Sequence, residues 1–366
     1  MLMHSDRIRH LSVSVYRIPT DAPESDGTLQ WDSTTMVLVE IEAGDQRGIG
    51  YTYADASVGQ FIQQKLTPIV VEQHPFDIPA LWKAMASAIR NEGSCGMAYM
   101  ALSAVDTALW DLKAKLLNVP LVQLLGSVRN KAMVYGSGGF TSYSHEQLQH
   151  QLGNWASEGF SMVKMKIGRN PDADLERVRL AKETIGTNVS LMVDANGGYE
   201  VKQALEKAEN FRQYGINWFE EPVSSDNLSG LEFIRNHAPA SIRIAAGEYG
   251  YSLDYFAHML HHKAVDVLQA DATRCGGITG FLKAGYLTEG YQLPFSFHCA
   301  PALHLHPSLA LNAFWVGEYF HDHVRIENLF FDGVPKPVHG YLSPDLSRPG
   351  LGLELKRADA EPYKLE

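Results

Sequence analysis

From residue 131 onward the chain keeps one rhythm, and that rhythm limits the folds open to it. Short apolar runs recur at residues 132–135, 162–167, 189–193, 216–219, 242–246, 265–270, 293–297 and 314–316. Between most of them lie segments of helical spacing. In residues 172–185, for example, Leu175, Val178 and Ala181 share one face and Asp172 is the expected cap. Eight strand–helix units of this length are what a (β/α)8 TIM-like barrel requires.

The polar residues sharpen that reading. Ionisable side chains recur where one run after another ends: Lys166, Asp194, Glu220, Glu248, Asp271, His298 and Glu318. In a barrel the strand C-termini line one mouth, so residues spread over more than 150 positions converge there. One acid at a strand end reads as a helix cap, but three in register do not. Asp194, Glu220 and Glu248 suit a hard, oxygen-preferring cation such as Mg²⁺, with Mn²⁺ as a substitute. No cysteine joins the cluster, which disfavours soft metals.

In residues 161–168 apolar and basic residues alternate, so Lys164 and Lys166 point to one face about 6.6 Å apart. Their repulsion, roughly 2.5 kcal/mol at an effective dielectric of about 20, is expected to lower Lys166 toward neutrality and make it a base. Asp271 and His298 stand on neighbouring strands and form a carboxylate–imidazole pair, the carboxylate fixing the tautomer. His304 and His306 lie just beyond, within reach of a ligand. Glu318 faces the mouth as hydrogen-bond donor or acceptor to a developing oxyanion.

Residues 8–20 alternate as a strand, 21–33 read as a polar loop carrying Trp31, and 34–42 with 48–53 flank a glycine-containing turn. Helical spacing follows over residues 60–90 and 98–116, the latter ended by Asn118-Val119-Pro120. The first hundred residues therefore form a small α+β unit. With 45% hydrophobic and 20% charged residues among 366, the composition is that of a soluble protein. A net charge of −11 and the lack of a basic run exclude a nucleic-acid binder. Three cysteines without a CxxC pair, no apolar run of membrane-span length and an amino terminus, Met1 to Asp6, without a signal-peptide core lead us to expect a cytoplasmic protein.

The stretch Ala101-Leu102-Ser103-Ala104-Val105-Asp106-Thr107-Ala108-Leu109-Trp110-Asp111-Leu112-Lys113-Ala114-Lys115, followed by Pro120-Leu121 and Leu124-Leu125-Gly126, resembles a signature of the mandelate racemase/muconate lactonizing group of the enolase superfamily. With the strand-end set, the resemblance is to the mandelate racemase-like subgroup and covers essentially the whole chain. It implies an α+β capping domain over residues 1–128, a (β/α)7β barrel over 129–325, and a tail over 326–366 that packs back on the cap. It makes Asp194, Glu220 and Glu248 the Mg²⁺ ligands, Lys166 one base with Lys164 beside it, Asp271 and His298 the opposing dyad, and Glu318 the hydrogen-bonding acid. Arg274 departs from the pattern, because a lysine often stands there. A homo-oligomer, from dimer to octamer, is also implied.

This set suits abstraction of the proton α to a carboxylate. If His298 protonates a departing β-hydroxyl, a 2-keto-3-deoxy acid forms; if the second face returns the proton, a racemate or epimer forms. The resemblance favours acid-sugar dehydration, of an aldonate or aldarate, over racemase, epimerase or cycloisomerase activity. A barrel that only binds ligand is disfavoured by the complete base and ligand set. Substrate selection is expected from Arg17, Trp31, Tyr51, Tyr53 and Asn196, with loop 21–33 and the Tyr51–Tyr53 loop as lids over the mouth.

Overall fold

A computed structural model describes residues 7–365; the amino-terminal stretch Met1 to Asp6 read above lies outside them. Eleven principal strands, β1 to β11, divide into two groups. The first three, β1 (Ile8–Ser25), β2 (Gln30–Ala43) and β3 (Gln46–Tyr53), form an antiparallel sheet. Against it packs the helix Met97–Leu116, buried along most of its length. Gly48 and Gly50 permit this: a Cβ on either would lie 2.2–2.3 Å from a carbonyl oxygen of that helix.

The other eight form a closed parallel barrel: β4 (Ala132–Gly138), β5 (Met162–Lys166), β6 (Ser190–Asp194), β7 (Trp218–Glu220), β8 (Arg243–Ala246), β9 (Val267–Ala270), β10 (Phe295–Phe297) and β11 (Phe314–Phe320). They pair in sequence order, and β11 closes on β4. All eight coincide with the apolar runs. Side chains alternate across each strand, so Val163 and Met165 pack outward against the helices while Met162, Lys164 and Lys166 point inward. Met162, Met192, Trp218, Val267 and Val316 fill the lower interior. The polar strand ends lie on top of that plug.

Residues 21–33 differ from the expected loop. β1 and β2 continue through them as a hairpin, with Glu24 opposite Trp31 and Ser25 opposite Gln30. The turn itself is only Asp26 to Leu29, closed by the Asp26 N–H donating to the Leu29 carbonyl at 3.0 Å. Asp26 Oδ1 accepts the Thr28 and Leu29 N–H groups, an Asx arrangement that local polarity hid within a longer polar run. Tyr51 to Tyr53 are not a loop either. They end β3, where the Tyr51 hydroxyl donates to Glu327 at 2.6 Å. Asp172 also moves: the helix Pro171–Ile185 starts after Asn170, and Asp172 sits in its first turn.

The tail is tied to both units. Tyr341–Leu342 adds an antiparallel strand to β4, while the Leu365 N–H donates to Val15 and Arg357 pairs with Glu40 in the cap. Among the described residues no helix is long and apolar enough to cross a membrane.

Candidate active site

The strand register places the acidic residues side by side. Lys166 is opposite Asp194 between β5 and β6, and Asp194 is opposite Glu220 between β6 and β7. Glu248 follows β8 after Gly247, whose φ of +134° and crowding against the Gln269 carbonyl admit no side chain. One carboxylate oxygen each from Asp194, Glu220 and Glu248 lie within 4.8 Å of one another, all buried. The Trp218 indole N–H donates to Glu220 Oε2 at 2.9 Å, and the Asn196 N–H to Asp194 Oδ1 at 3.0 Å.

The two lysines occupy different places. Lys164 is fully buried beneath the carboxylates, 2.5 Å from Glu220, 2.9 Å from Glu318 and 3.3 Å from Asp194. Lys166, 2.6 Å from Asp194, lines the cavity above. The expected depression of Lys166 does not occur here. Burial pulls its ammonium down and Lys164 repels it, but the Asp194 carboxylate more than offsets both, so its pKa is raised. Burial likewise disfavours an ionised Asp194, yet the two ammonium groups hold it at about 2. Glu220, pushed up by burial and by Asp194, is the acid left short of positive charge.

Five carboxylates, Asp194, Glu220, Glu248, Asp271 and Glu318, therefore meet three cations, Lys164, Lys166 and Arg274, and Glu248 Oε2 is buried with no hydrogen-bond partner. A hard dication fits this donor set by charge and by chemistry.

Across the mouth, His298 Nδ1 donates to Asp271 Oδ2 at 2.9 Å, whose other oxygen accepts the Thr273 N–H at 2.7 Å. Burial opposes ionisation of Asp271, but His298 holds it below the ordinary carboxylate range. His298 Nε2 is thereby turned to the cavity, 3.3 Å from Glu248. Positive φ at Asn196, Glu221, Cys299 and Ala300 shows that the chain bends sharply just past three of these strand ends, where the side chains must be aimed.

His304 and His306 do not reach the cavity. His304 Nε2 accepts the Ala272 N–H at 2.7 Å and its Nδ1 donates to the Cys299 and Ala300 carbonyls, so it ties the loop after β9 to the loop after β10. His306 accepts the Val122 N–H, and burial lowers it to about 4. Glu318 is also sealed. Its oxygens take Lys164, the Ser137 hydroxyl and the Cys299 N–H; burial notwithstanding, Lys164 and His298 keep it ionised, so it has no proton to donate to an oxyanion.

The cavity above has a volume of about 300 Å³ and is lined by Lys166, Asn196, Glu248, Arg274, His298 and, from the hairpin, Trp31. Arg17 lies elsewhere, in a groove with Tyr363 and Lys364, because it points off the outer side of β1. Tyr53 stacks on His323 at 3.5 Å, behind the cavity wall and not in it. Tyr249, Cys299, Phe320 and His323 line the cavity without having been singled out. A second cavity of about 680 Å³ adjoins through Asn196 and Tyr249 and contains Glu221, the second acid of Glu220-Glu221. Adjacent acids at a strand end could have signalled Glu221, since one of the two must point away from the barrel axis.

Comparison with known proteins agrees with this architecture. Residues 13–126 match the mandelate racemase / muconate lactonizing enzyme N-terminal domain, and residues 147–360 match the enolase C-terminal domain-like family. An arabinonate dehydratase of Saccharolobus solfataricus is 30% identical over 342 residues, 90% of each chain. A mandelate racemase/muconate lactonizing enzyme-like protein from Rubrobacter xylanophilus superposes with a TM-score of 0.96 at 53% identity, covering 98% of this chain and 100% of that one. An L-talarate dehydratase from Polaromonas sp. JS666, solved with Mg and L-glucarate, gives 0.89 at 29% identity, covering 99% and 98%. The curated relatives include both dehydratases and cycloisomerases. The chain belongs to the mandelate racemase / muconate lactonizing enzyme family of the enolase superfamily, and it is an enzyme of the lyase or isomerase type found there.

Proposed function

We propose that the protein removes the proton α to the carboxylate of an acid sugar and expels the β-hydroxyl, giving a 2-keto-3-deoxy acid. One observation carries this reading: Lys166 and the Asp271-backed His298 line a single cavity beside three clustered carboxylates. Asp194, Glu220 and Glu248 would hold Mg²⁺, with Mn²⁺ as a substitute, and the bound ion would act as a Lewis acid on the substrate carboxylate. β5 and β10 are separated by β11 and β4 on the shorter way round, so Lys166 and His298 approach a bound molecule from different sides. With Asp194 bound to a cation, that carboxylate's hold on the Lys166 ammonium loosens, and the ammonium sheds its proton to water. The neutral Nζ then takes the α-proton, and protonated His298 delivers its Nε2 proton to the departing hydroxyl, which leaves as water. Asp271 keeps the His298 tautomer that presents Nε2. Lys164 and Glu318 position: one props the acidic cluster from below, the other fixes the Cys299 backbone next to His298.

The two-sided arrangement also suits return of the proton to the opposite face, the isomerase outcome. Incubating aldonates and aldarates with Mg²⁺ and reading keto-acid formation tests the proposal. Turnover should vanish with EDTA and return with Mg²⁺. Undiminished activity after exhaustive chelation would end it.

A further inference from the structure

We infer that the substrate carries a single carboxylate and that its far end, beneath the hairpin, is uncharged. The inference rests on the proposed reaction and concerns which acid sugars enter. The cations lining the cavity among the described residues are Lys166 and Arg274, and both are matched on its floor. Lys166 is held by Asp194. The Arg274 guanidinium lies 3.5 Å from Glu248 Oε1 and 3.7 Å from Asp271 Oδ2, donates to the Glu248 carbonyl at 3.2 Å, and rests over the Tyr249 ring at 5.2 Å. Both therefore stand where the reacting carboxylate belongs.

The hairpin end is different. Leu29, Trp31 and Phe320 supply apolar surface, Ser33 and Thr34 supply hydroxyls, and the charged group is the Asp26 carboxylate. His323 adds no cation, because burial lowers it to about 3. The distal carboxylate of a diacid would meet Asp26 and find no partner, whereas a terminal hydroxyl or methyl group meets hydroxyls and apolar surface. Like charges opposed in a desolvated site are strongly rejected. The 300 Å³ cavity is at the small end for ligand sites, and the adjoining 680 Å³ cavity, whose charged lining residues are Glu221 and Asp226, offers a distal carboxylate no cation either.

The test compares each sugar monoacid with the diacid of the same chain length and configuration, in Mg²⁺, by keto-acid formation and by α-deuterium uptake in D₂O. Monoacids should lead by about a hundredfold in kcat/KM. Leu29→Arg supplies the missing cation at a side chain that is 62% exposed, so folding is spared. It should raise diacid kcat/KM at least tenfold and narrow the monoacid-to-diacid ratio by at least as much. A wild-type preference for diacids, or a diacid rate unmoved by Leu29→Arg, overturns the inference while the reaction stands. Absence of α-proton exchange with every acid of both series removes the reaction, and this inference with it.

Discussion

Trp218 shows how much of this site depends on residues that never meet a ligand. Its indole N–H fixes one oxygen of Glu220, leaving the other for Lys164. Trp218→Phe keeps most of the packing of the barrel plug but frees that oxygen. Mg²⁺ affinity should fall by roughly tenfold or more, as for other hydrogen bonds to metal ligands; titration calorimetry showing unchanged affinity would remove Trp218 from the site. At this scale the sequence was legible in one respect and not in another. Period-two alternation and strand ends disclosed which side chains share the mouth. The charge state of Lys166 was not legible, because Asp194, which dominates it, is a cross-strand neighbour 28 positions away. Glu318 misled for the same reason: its three partners come from β4, β5 and the loop after β10.

The hairpin of β1 and β2 is the element that shapes the cavity. Its tip packs against the barrel without clearance, since a Cβ on Gly27 would lie 2.1 Å from the Ala195 carbonyl oxygen. The Ser25 carbonyl accepts the Thr141 N–H at 2.8 Å, and His321 meets Asp21 at 2.9 Å. Gly27→Ala should lift the tip and lower kcat/KM by about a hundredfold with Mg²⁺ affinity intact, because misplacement of about 1 Å has such an effect. Unaltered kinetics would show that the tip does not shape the active cavity. Trp31→Ala should change the ranking of substrates, whereas Tyr53→Phe, behind the wall, should not.

The same hairpin buries Glu24, which accepts the Trp31 N–H at 2.8 Å and is pushed by burial, then by Asp322, from 4.5 to about 9. Folded protein therefore keeps this proton where unfolded chain has lost it, and stability falls as pH rises from about 4.5 to about 9. Glu24→Gln should flatten that part of the decline in Tm between pH 5 and 9; parallel slopes for the two proteins would contradict the assignment. The hairpin escaped sequence reading because polar side chains on an element docked by its backbone look like loop.

Across the whole molecule, the helix Met97–Leu116 is the joint, and its acids explain the signature found there. Asp106 receives the Thr279 N–H and hydroxyl from the barrel, at 2.9 and 2.7 Å. Asp111 receives Ile49 from β3 and Leu351 from the tail, with Lys115 at 2.9 Å. Breaking such a buried pair on one side costs about 3–5 kcal/mol. Asp111→Ala should show that loss in urea unfolding, and a shift below 1 kcal/mol would mean that the tail is held otherwise. The barrel was legible from the sequence because eight apolar runs must close on themselves, while the joint was legible only as a resemblance, since its partners lie up to 240 positions apart. The central claim is the division of labour between Lys166 and His298, and α-proton exchange in D₂O, followed by NMR on a sugar acid the wild type dehydrates, tests it most directly. The account predicts that Lys166→Ala loses exchange and dehydration together, while His298→Asn keeps exchange and loses dehydration by about 10²-fold or more. Dehydration at the wild-type rate in His298→Asn, or exchange surviving in Lys166→Ala, would contradict it.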